Sequence, residues 1–515
     1  MRFGLGRARL AAVAVAVATC ILGSALGGEA SAGPKSPPNF LIIQTDDQGL
    51  DLFNEDAMPH TFQKIVGHGT VLSNYGVSTP LCCPSRAALL TGQYGHNNGV
   101  LRNGYELLNN KGQTLPVWLK QARYRTIHIG KYLNHYPQFA GAKPAPGWTN
   151  WQTLIDNNYY DYRFSDNGER VRYGDDAKDY VGRVLTQRAV ATLKKKSDKP
   201  FFMDLDLEAP HADAGRGGSC SRDAIPDPRE ADDLIKAPLP DQPSFNEPDI
   251  SDKPDFMQGL PILDSAVIHK VKRSYRCALT TMVGADRGIN RILNALKRTG
   301  QLDDTMIVFI SDNGVLRGQH RIPAGKAVAY RESVQVPAVI RMPAGFSAPS
   351  SLNPPTANID LAPTILDLAG AEACREPGKC RTMDGRSMLG SLGGPGDPIP
   401  SDRTMLVELD KSHGPHLKSN ENGHKGPCTY AGVRDSQWWY VRYTNVYDTE
   451  GNCQATDQRE MYDLDDDGFQ LANLYPPSPG NQAEATALAA KLATLEDCAG
   501  IAGRDAPVGG KPYCE

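Results

Sequence analysis

Short runs of aliphatic and aromatic residues recur along the chain, and each run leads into a polar cluster. The runs cover residues 40–45, 126–129, 201–203 and 306–310, and they lead into Asp46-Asp47, Gly130-Lys131, Ala209-Pro210-His211 and Ser311-Asp312-Asn313. Unbroken apolar runs of this length are typical of strands buried on both faces of a sheet.

Between these runs the apolar positions follow a helical period. Ile289, Ile292, Leu293 and Leu296 share one face of a predicted helix that is closed by Gly300. Strands that alternate with helices predict an α/β fold with a large, mostly parallel central sheet flanked by helices. Ligands of such sheets bind beyond the carboxyl ends of the strands, where all the polar clusters fall.

A Gly- and Pro-rich stretch at 393–400 predicts a boundary between two domains. Beyond it, 429–443 and 460–464 have the composition of strands in a smaller antiparallel sheet. We therefore predict a large catalytic domain at 33–395 and a smaller C-terminal α+β domain at 396–515.

The segment 214–261 is polar and rich in proline. Long polar segments of this kind run over the surface and commonly border a binding site. We predict a surface excursion that rims the substrate pocket.

The amino terminus has the pattern of a secretory signal peptide at residues 1–32. Arg2, Arg7 and Arg9 precede the apolar run 10–26, and small residues follow at 30–32. The pattern predicts a secreted protein.

Anchoring as a lipoprotein through Cys20, which follows Val17-Ala18-Thr19, is an alternative. No later run is apolar enough to predict stable membrane insertion. The formal net charge of −4 gives no indication of a nucleic-acid partner.

Ten of the eleven cysteines lie after the leader, in a compartment where disulfides persist. Neighbours in sequence suggest the pairs 374/380, 428/453 and 498/514, with 220/277 as a fourth, although spacing does not fix the connectivity. The adjacent cysteines Cys82 and Cys83 stand apart from these pairs.

Cys82 is predicted to lie at the amino terminus of a helix. Pro84 suits the first turn, Gly92 suits the end, and Arg86 lies one turn further in. A thiol at this point has a lowered pKa, which by itself favours a cysteine hydrolase or a redox enzyme.

The stretch Cys82-Cys83-Pro84-Ser85-Arg86, followed by Leu90-Thr91-Gly92, resembles the signature of the type I sulfatases. In that family the first cysteine of Cys-x-Pro-x-Arg is oxidised before folding to formylglycine (3-oxoalanine). The resemblance therefore implies that Cys82 is modified by a formylglycine-generating enzyme and that Cys83 is a packed core residue.

Further motifs stand in the same order as in that family. They are Asp46-Asp47, Gly130-Lys131, His211, Asp312-Asn313-Gly314 and Lys326, with Met461-Tyr462-Asp463-Leu464 and Asn473-Leu474 resembling the family's closing segment. The resemblance implies an alkaline-phosphatase-like fold.

The metal ligands implied by the resemblance are Asp46, Asp47, Asp312, Asn313 and the modified Cys82. Oxygen ligands suit Ca²⁺, which the family usually holds, with Mg²⁺ as the alternative, and no cysteine–histidine cluster has the spacing of a zinc site. Crowded carboxylates raise one another's pKa unless a cation is present.

Sulfate-ester hydrolysis requires a nucleophile, neutralisation of the transferring group and an acid for the leaving alcohol. The resemblance implies that the hydrated formylglycine at Cys82 is the nucleophile, that Asp312 is the base and that Arg86 orients the hydrate. It also implies that Lys131 and Lys326 bind the sulfate oxygens. The leaving oxygen would be protonated by His211 with Lys326.

One position departs from the family pattern. Many members carry a histidine two residues after the motif lysine, and here that position is Leu133. Asn134 or His135 can substitute, and we name Asn134 as the candidate. The variant Gly130-Lys131-Tyr132-Leu133-Asn134 is most similar to the N-acetylglucosamine-6-sulfatase branch.

The predicted substrate is a sulfated small molecule or saccharide, including aryl sulfates. Two alternatives remain open at this point. One is a phosphonate or phosphate ester hydrolase of the same superfamily. The other is a non-catalytic binding protein, if Cys82 stays unmodified.

Overall fold

The computed structural model describes residues 37–213, 220–230, 236–374, 380–412, 426–448 and 450–515. The strands are β1 (Asn39–Thr45), β2 (Thr70–Leu72), β3 (Tyr75–Gly76), β4 (Arg125–Gly130), β5 (Asn150–Leu154), β6 (Arg163–Asp166), β7 (Glu169–Arg172), β8 (Phe201–Asp206), β9 (Thr305–Ser311), β10 (Ala338–Arg341), β11 (Ser351–Leu352), β12 (Thr356–Ala357), β13 (Met405–Asp410), β14 (Pro427–Arg434), β15 (Trp438–Tyr447) and β16 (Cys453–Asp463).

The α-helices are α1 (Pro59–Lys64), α2 (Cys82–Thr91), α3 (Gly95–Asn98), α4 (Leu115–Gln121), α5 (Tyr136–Ala140), α6 (Val181–Leu193), α7 (Asp255–Gln258), α8 (Ser265–Arg298), α9 (Arg331–Val334), α10 (Leu361–Ala369) and α11 (Gln482–Leu495). The four predicted strands correspond to β1, β4, β8 and β9, so the apolar runs are confirmed as strands.

The large sheet has ten strands in the order β11-β2-β10-β9-β1-β8-β4-β5-β6-β7. Its five central strands, from β9 to β5, run parallel, and β10, β6 and β7 extend it in antiparallel fashion. The prediction of a mostly parallel central sheet is therefore confirmed for the strands that carry the polar clusters.

Apolar cores cover both faces of this sheet. Along β1, Phe40 and Ile42 belong to one core, whereas Leu41 and Ile43 belong to the other. Side chains alternate between the two faces of a strand, so a strand covered by apolar cores on both faces is apolar at most of its positions. This explains the unbroken run in the sequence.

Helix α8 covers one of these faces. Asp264 caps its amino terminus, accepting a hydrogen bond from the backbone N–H of Val267 at 2.8 Å. The predicted face of Ile289, Ile292, Leu293 and Leu296 is fully buried in the core that includes Leu41. The helix ends at Arg298, two residues before Gly300.

The second sheet is antiparallel, in the order β13-β14-β15-β16, and α11 packs against it through Leu488 and Leu492. This confirms the predicted small sheet. One apolar cluster joins Val407 of β13 to Ala327 and Val334 of the larger part of the chain. The boundary between residues 395 and 396 stays a prediction.

The described parts of 214–261 are only partly superficial. Ile250, Met257 and Leu260 are buried in a cluster that also contains Tyr330. The segment also bonds to the loop after β9, with the backbone N–H of Asn246 donating to the carbonyl of Gly318 at 2.8 Å. It therefore supports that loop instead of lying free over the surface.

The four suggested disulfides are present, at 220/277, 374/380, 428/453 and 498/514, and Cys82 and Cys83 are free. The predicted signal peptide and Cys20 lie outside the described residues. Among the helices that the structure describes, none has the length and hydropathy needed to cross a bilayer.

Candidate active site

The predicted site residues converge at the carboxyl ends of the parallel strands. Asp46 and Asp47 follow β1, Lys131 follows β4, His211 lies beyond β8, and Asp312 follows β9. The strands are neighbours in the order β9-β1-β8-β4, so their ends bring these side chains together.

Cys82 is the first residue of α2, and all ten residues of that helix are buried. The helix ends at Gly92, which has φ = 66° and whose backbone N–H donates to the carbonyl of Ala88 at 2.8 Å. Pro84 and Gly92 therefore mark this helix as predicted. Cys82 Sγ lies 3.0 Å from Lys326 Nζ.

Two more side chains contact Cys82. Its Sγ lies 3.6 Å from Asp46 Oδ1 and 3.9 Å from Lys131 Nζ. The sequence predicted a lowered thiol pKa at this position, and that expectation is wrong. Burial, together with the negative charge of Asp46, raises the pKa of Cys82 despite the two lysines. Burial of the Cys82 side chain therefore disfavours a thiolate nucleophile.

Oxygen atoms of two strand ends surround the same point. Ligand atoms of Asp46, Asp47, Cys82 and Asp312 all lie within 4.8 Å of one another. The backbone N–H of Asp47 donates to Asp312 Oδ1 at 3.1 Å, and Asn313 Nδ2 donates to Asp47 Oδ1 at 2.6 Å. Asp47 has φ = 69°, a strained conformation that clusters at functional sites.

The donor set suits a hard divalent cation. It consists of carboxylate and amide oxygens, and in the described part of the chain the buried Oδ1 of Asn313 has no hydrogen-bond partner. A buried amide oxygen without a hydrogen-bond partner destabilises the fold unless a cation or a water molecule binds to it. The residues present therefore fit a calcium or magnesium ion.

Lysines counterbalance the aspartates in this cluster. Lys131 pairs with Asp46, and Lys326 pairs with Asp47. Burial opposes ionisation of both carboxyls, yet these lysines hold the pKa of Asp46 and of Asp47 below the ordinary value. Burial and the charge of Asp46 raise the pKa of Asp312 to about 6. Of these three carboxyls, Asp312 is therefore the one whose pKa is raised, as the sequence predicted for crowded carboxylates.

Arg86 lies one turn into α2 and is buried among carboxylates. Its Nε donates to Asp312 Oδ2 at 2.9 Å and its Nη2 to Asp46 Oδ2 at 3.2 Å. Its Nη1 donates to Asp206 Oδ1 at 2.6 Å and to the carbonyl of Lys131 at 3.0 Å. Bonds on all three nitrogens fix the guanidinium rigidly.

Gly130 is required where β4 turns into the site. It has φ = 114°, and a Cβ at this position would meet the carbonyl oxygen of Asp206 at 1.8 Å. The close approach lets the backbone N–H of Lys131 donate to that carbonyl at 3.1 Å. Lys131 is thereby directed into the site, with 1% of its side chain exposed.

His211 borders the site with 30% of its side chain exposed. Its Nε2 lies 3.7 Å from Asp47 Oδ2, and its Nδ1 lies 2.7 Å from the carbonyl of Ala212. The second contact orients the ring, because a donating Nδ1–H leaves Nε2 facing the acidic cluster.

Asn134 is positioned differently from the other candidates. Its backbone carbonyl accepts a hydrogen bond from the backbone N–H of Tyr105 at 2.9 Å and lies 3.9 Å from Cys83 Sγ. The residue lines a neighbouring cavity with Asn157 and Asn158, and its buried Oδ1 has no hydrogen-bond partner among the described residues. Among the described residues Asn134 makes no hydrogen bond to Cys82, and a role for Asn134 in the reaction stays a prediction.

Sequence reasoning missed Asp206 and His128. Asp206 binds Arg86, and its Oδ2 lies 3.1 Å from His128 Nε2, whose ring in turn bonds Thr153 through Nδ1 at 2.7 Å. The sequence feature that could have identified Asp206 is the pair Asp204 and Asp206, two aspartates at alternate positions of a buried strand.

Comparisons with known proteins agree with this geometry. The Sulfatase family model matches residues 38–371. An arylsulfatase of Volvox carteri is 32% identical over 94% of this chain and 78% of its own length. An N-acetylglucosamine-6-sulfatase of Homo sapiens is 30% identical over 88% of this chain and 84% of its own length.

A putative extracellular sulfatase Sulf-1 homologue of Caenorhabditis elegans is 29% identical over 84% of this chain and 64% of its own length. A protein solved in complex with its substrate D-glucosamine-2-N,6-O-disulfate superposes with a TM-score of 0.67, at 22% identity, over 89% of this chain and 97% of that chain. The latter likeness supports the fold, which is alkaline-phosphatase-like. The chain belongs to the sulfatase family and is a sulfuric ester hydrolase.

Proposed function

We propose that this enzyme removes sulfate from sulfated saccharides of the glucosamine 6-sulfate type, using a formylglycine made from Cys82. The observation that carries the proposal is the position of Cys82 Sγ, which lies 3.0 Å from Lys326 Nζ, 3.9 Å from Lys131 Nζ and 3.6 Å from Asp46 Oδ1. The names of the related proteins support the saccharide class.

The modified side chain would be made by a formylglycine-generating enzyme. Its hydrate would supply one hydroxyl as the nucleophile, and loss of the proton from the second hydroxyl would re-form the aldehyde by breaking the C–O bond to the transferred sulfate. Cys82 Sγ stands where the oxygen of that side chain would lie. Burial raises the pKa of an unmodified Cys82 thiol, so the thiol itself would be a poor nucleophile in the folded enzyme.

Asp46, Asp47, Asp312 and Asn313 would hold Ca²⁺, with Mg²⁺ as the alternative. A divalent ion there supplies positive charge that polarises the nucleophile and the sulfate. The unpaired oxygen of Asn313 supports this assignment.

The remaining groups bind the ester and move protons. Lys131 and Lys326, whose Nζ atoms both lie within 3.9 Å of Cys82 Sγ, bind sulfate oxygens and neutralise charge that develops on them. Arg86 holds Asp312 in place, and Asp312 accepts the proton of the nucleophile. His211, with Lys326, gives a proton to the leaving oxygen.

The predicted leader and the four disulfides support export of the protein. Of the alternatives, sulfate is favoured over phosphonate because the relatives that are at least 30% identical, such as those of Volvox carteri and Homo sapiens, are named sulfatases.

Mass analysis of the Cys82 peptide tests the proposal, and the expected result is an aldehyde or its hydrate. Only unmodified thiol in protein from the native host would support a binding protein instead. Turnover of an aryl sulfate should exceed turnover of the matching aryl phosphonate, and faster phosphonate hydrolysis would reverse the assignment.

A further inference from the structure

The small C-terminal sheet brings another cation to the edge of the site. Lys411 directly follows β13, whose Leu409 packs in one apolar cluster with Leu81 and Ala327. Leu81 immediately precedes the site cysteine, and Ala327 immediately follows the site lysine. Side chains two positions apart along an extended chain share a side, so Lys411 lies on the side of the cluster and the site.

Backbone contacts fix this position. The N–H of Asp410 donates to the carbonyl of Leu101 at 3.3 Å, and Asn103 Oδ1 accepts from the backbone N–H of Cys83 at 3.1 Å. Arg102 stands between these two contacts. The loop that carries Arg102 therefore connects the end of β13 to the start of α2, which brings the backbone of Arg102 close to that of Lys411.

Two cations on this side have no carboxylate partner among the described residues. Burial and the nearby charge of Lys326 lower the pKa of Lys411 to about 8. Within the part of the chain that the structure describes, neither half-buried Lys411 nor half-buried Arg102 makes a side-chain hydrogen bond or ion pair. A cation held near another cation gains from an anion that binds between or beside them.

We propose that Lys411, with Arg102 beside it, binds a second anionic group of the substrate, a sulfate or carboxylate on the sugar that is not the ester cleaved. The inference rests on the proposed saccharide sulfatase function and narrows the substrate class to saccharides with at least two anionic groups. Lys131 and Lys326 bind the sulfate that is cleaved, whereas Lys411 and Arg102 determine which sulfated sugar is preferred.

The test compares two substrates that differ by one charged group, D-glucosamine-2-N,6-O-disulfate and D-glucosamine 6-O-sulfate. For Lys411→Ala, the ratio of kcat/KM for the disulfate to kcat/KM for the monosulfate should fall at least tenfold, mainly through KM. Lys411→Arg should restore most of the ratio, and Arg102→Ala should lower it less. Lys120→Ala, an exposed lysine on α4, should leave it at the wild-type value.

An unchanged ratio in Lys411→Ala, or equal losses for both substrates, would overturn the proposal. The affinity of the wild type and of Lys411→Ala for the disulfate, measured by calorimetry, tests the Lys411 contact independently of the proposed function. Affinity at least tenfold weaker in the variant supports the contact even if neither sugar is turned over, and equal affinity refutes it. A wild-type enzyme that hydrolyses neither sugar refutes the proposed saccharide sulfatase function.

Discussion

Arg86 and Asp206 form a buried ion pair, with Nη1 and Oδ1 2.6 Å apart. The pair connects α2 to the end of β8. It uses Nη1 of Arg86, whereas Asp312 is bound by Nε of the same guanidinium. Asp206 is in turn adjacent to His128, at 3.1 Å between Oδ2 and Nε2. Arg86 is therefore oriented by a carboxylate outside the proposed metal ligands, which makes Asp206 a positioning residue.

Replacing Asp206 by Asn should lower kcat about tenfold to a hundredfold, because a loosened guanidinium no longer fixes Asp312. Steady-state kinetics with an aryl sulfate, together with a thermal melt, measure the effect. Asp204→Asn is the matched control on the same strand. Burial and the charge of Asp206 raise the pKa of Asp204 well above its ordinary value, so the amide resembles the neutral carboxyl. Equal kinetics in the two variants would refute the positioning role.

Cys82→Ala should abolish turnover, with a loss of at least about a thousandfold, because no nucleophile remains. Cys83→Ala is the neighbouring control. Cys83 is fully buried in the core that includes Phe40, and its loss should cost about 1 kcal/mol of unfolding free energy while activity persists. Turnover measured beside chemical denaturation distinguishes the two. An active Cys82→Ala enzyme would contradict the proposed chemistry.

Calcium should raise the thermal midpoint of the wild type and should do so much less for Asn313→Ala, which lacks the unpaired amide oxygen. At free calcium a hundredfold above Kd, the folded state gains about 2.7 kcal/mol. Scanning calorimetry with calcium, magnesium or EGTA measures this, with Asn353→Ala as an exposed control. A wild-type midpoint that is indifferent to all three would argue against a resident divalent ion.

Stability should fall at alkaline pH through His96. Its Nδ1 lies 3.0 Å from Glu408 Oε1, and although burial opposes the charge, Glu408 raises the pKa of His96 to about 9. Because the folded pKa lies above the unfolded value, the stabilisation is complete below about pH 6.5 and is lost as pH rises through about 9. It amounts to at most about 3 kcal/mol.

Urea unfolding of the wild type and of His96→Gln at pH 6 and pH 9.5 measures this dependence. The difference between the two proteins should be large at pH 6 and small at pH 9.5. His68→Gln, which alters an exposed histidine, is the control for general titration. If the difference in unfolding free energy between the two proteins does not change with pH, His96 does not cause the loss of stability at alkaline pH.

The parts of the site that follow from sequence are those fixed by local pattern. Apolar runs predict the central strands, and the carboxyl ends of parallel strands meet at one edge, so Asp46 and Asp312 could be placed together without coordinates. Pro84 and Gly92 likewise mark α2, which sets the position of Cys82.

Other features depend on which strands lie side by side. Asp206 reaches Arg86 because β8 pairs with both β1 and β4, and no local pattern specifies those neighbours. The position of Lys411 depends on how the small sheet packs against the loop at Leu101. The thiol pKa of Cys82 was predicted wrongly because helix position alone neglects complete burial.

The packing of β13 against the catalytic loops has a practical consequence for protein engineering. The backbone N–H of Glu408 donates to the carbonyl of Ser78 at 2.8 Å, four residues before the nucleophile position. A truncated polypeptide that stops ahead of β13 would lose this hydrogen bond to the loop that precedes Cys82. If Lys411 selects the sugar as proposed, chimeras that exchange residues 396–515 between homologous enzymes are expected to transfer sugar selectivity while the hydrolytic residues stay with the recipient.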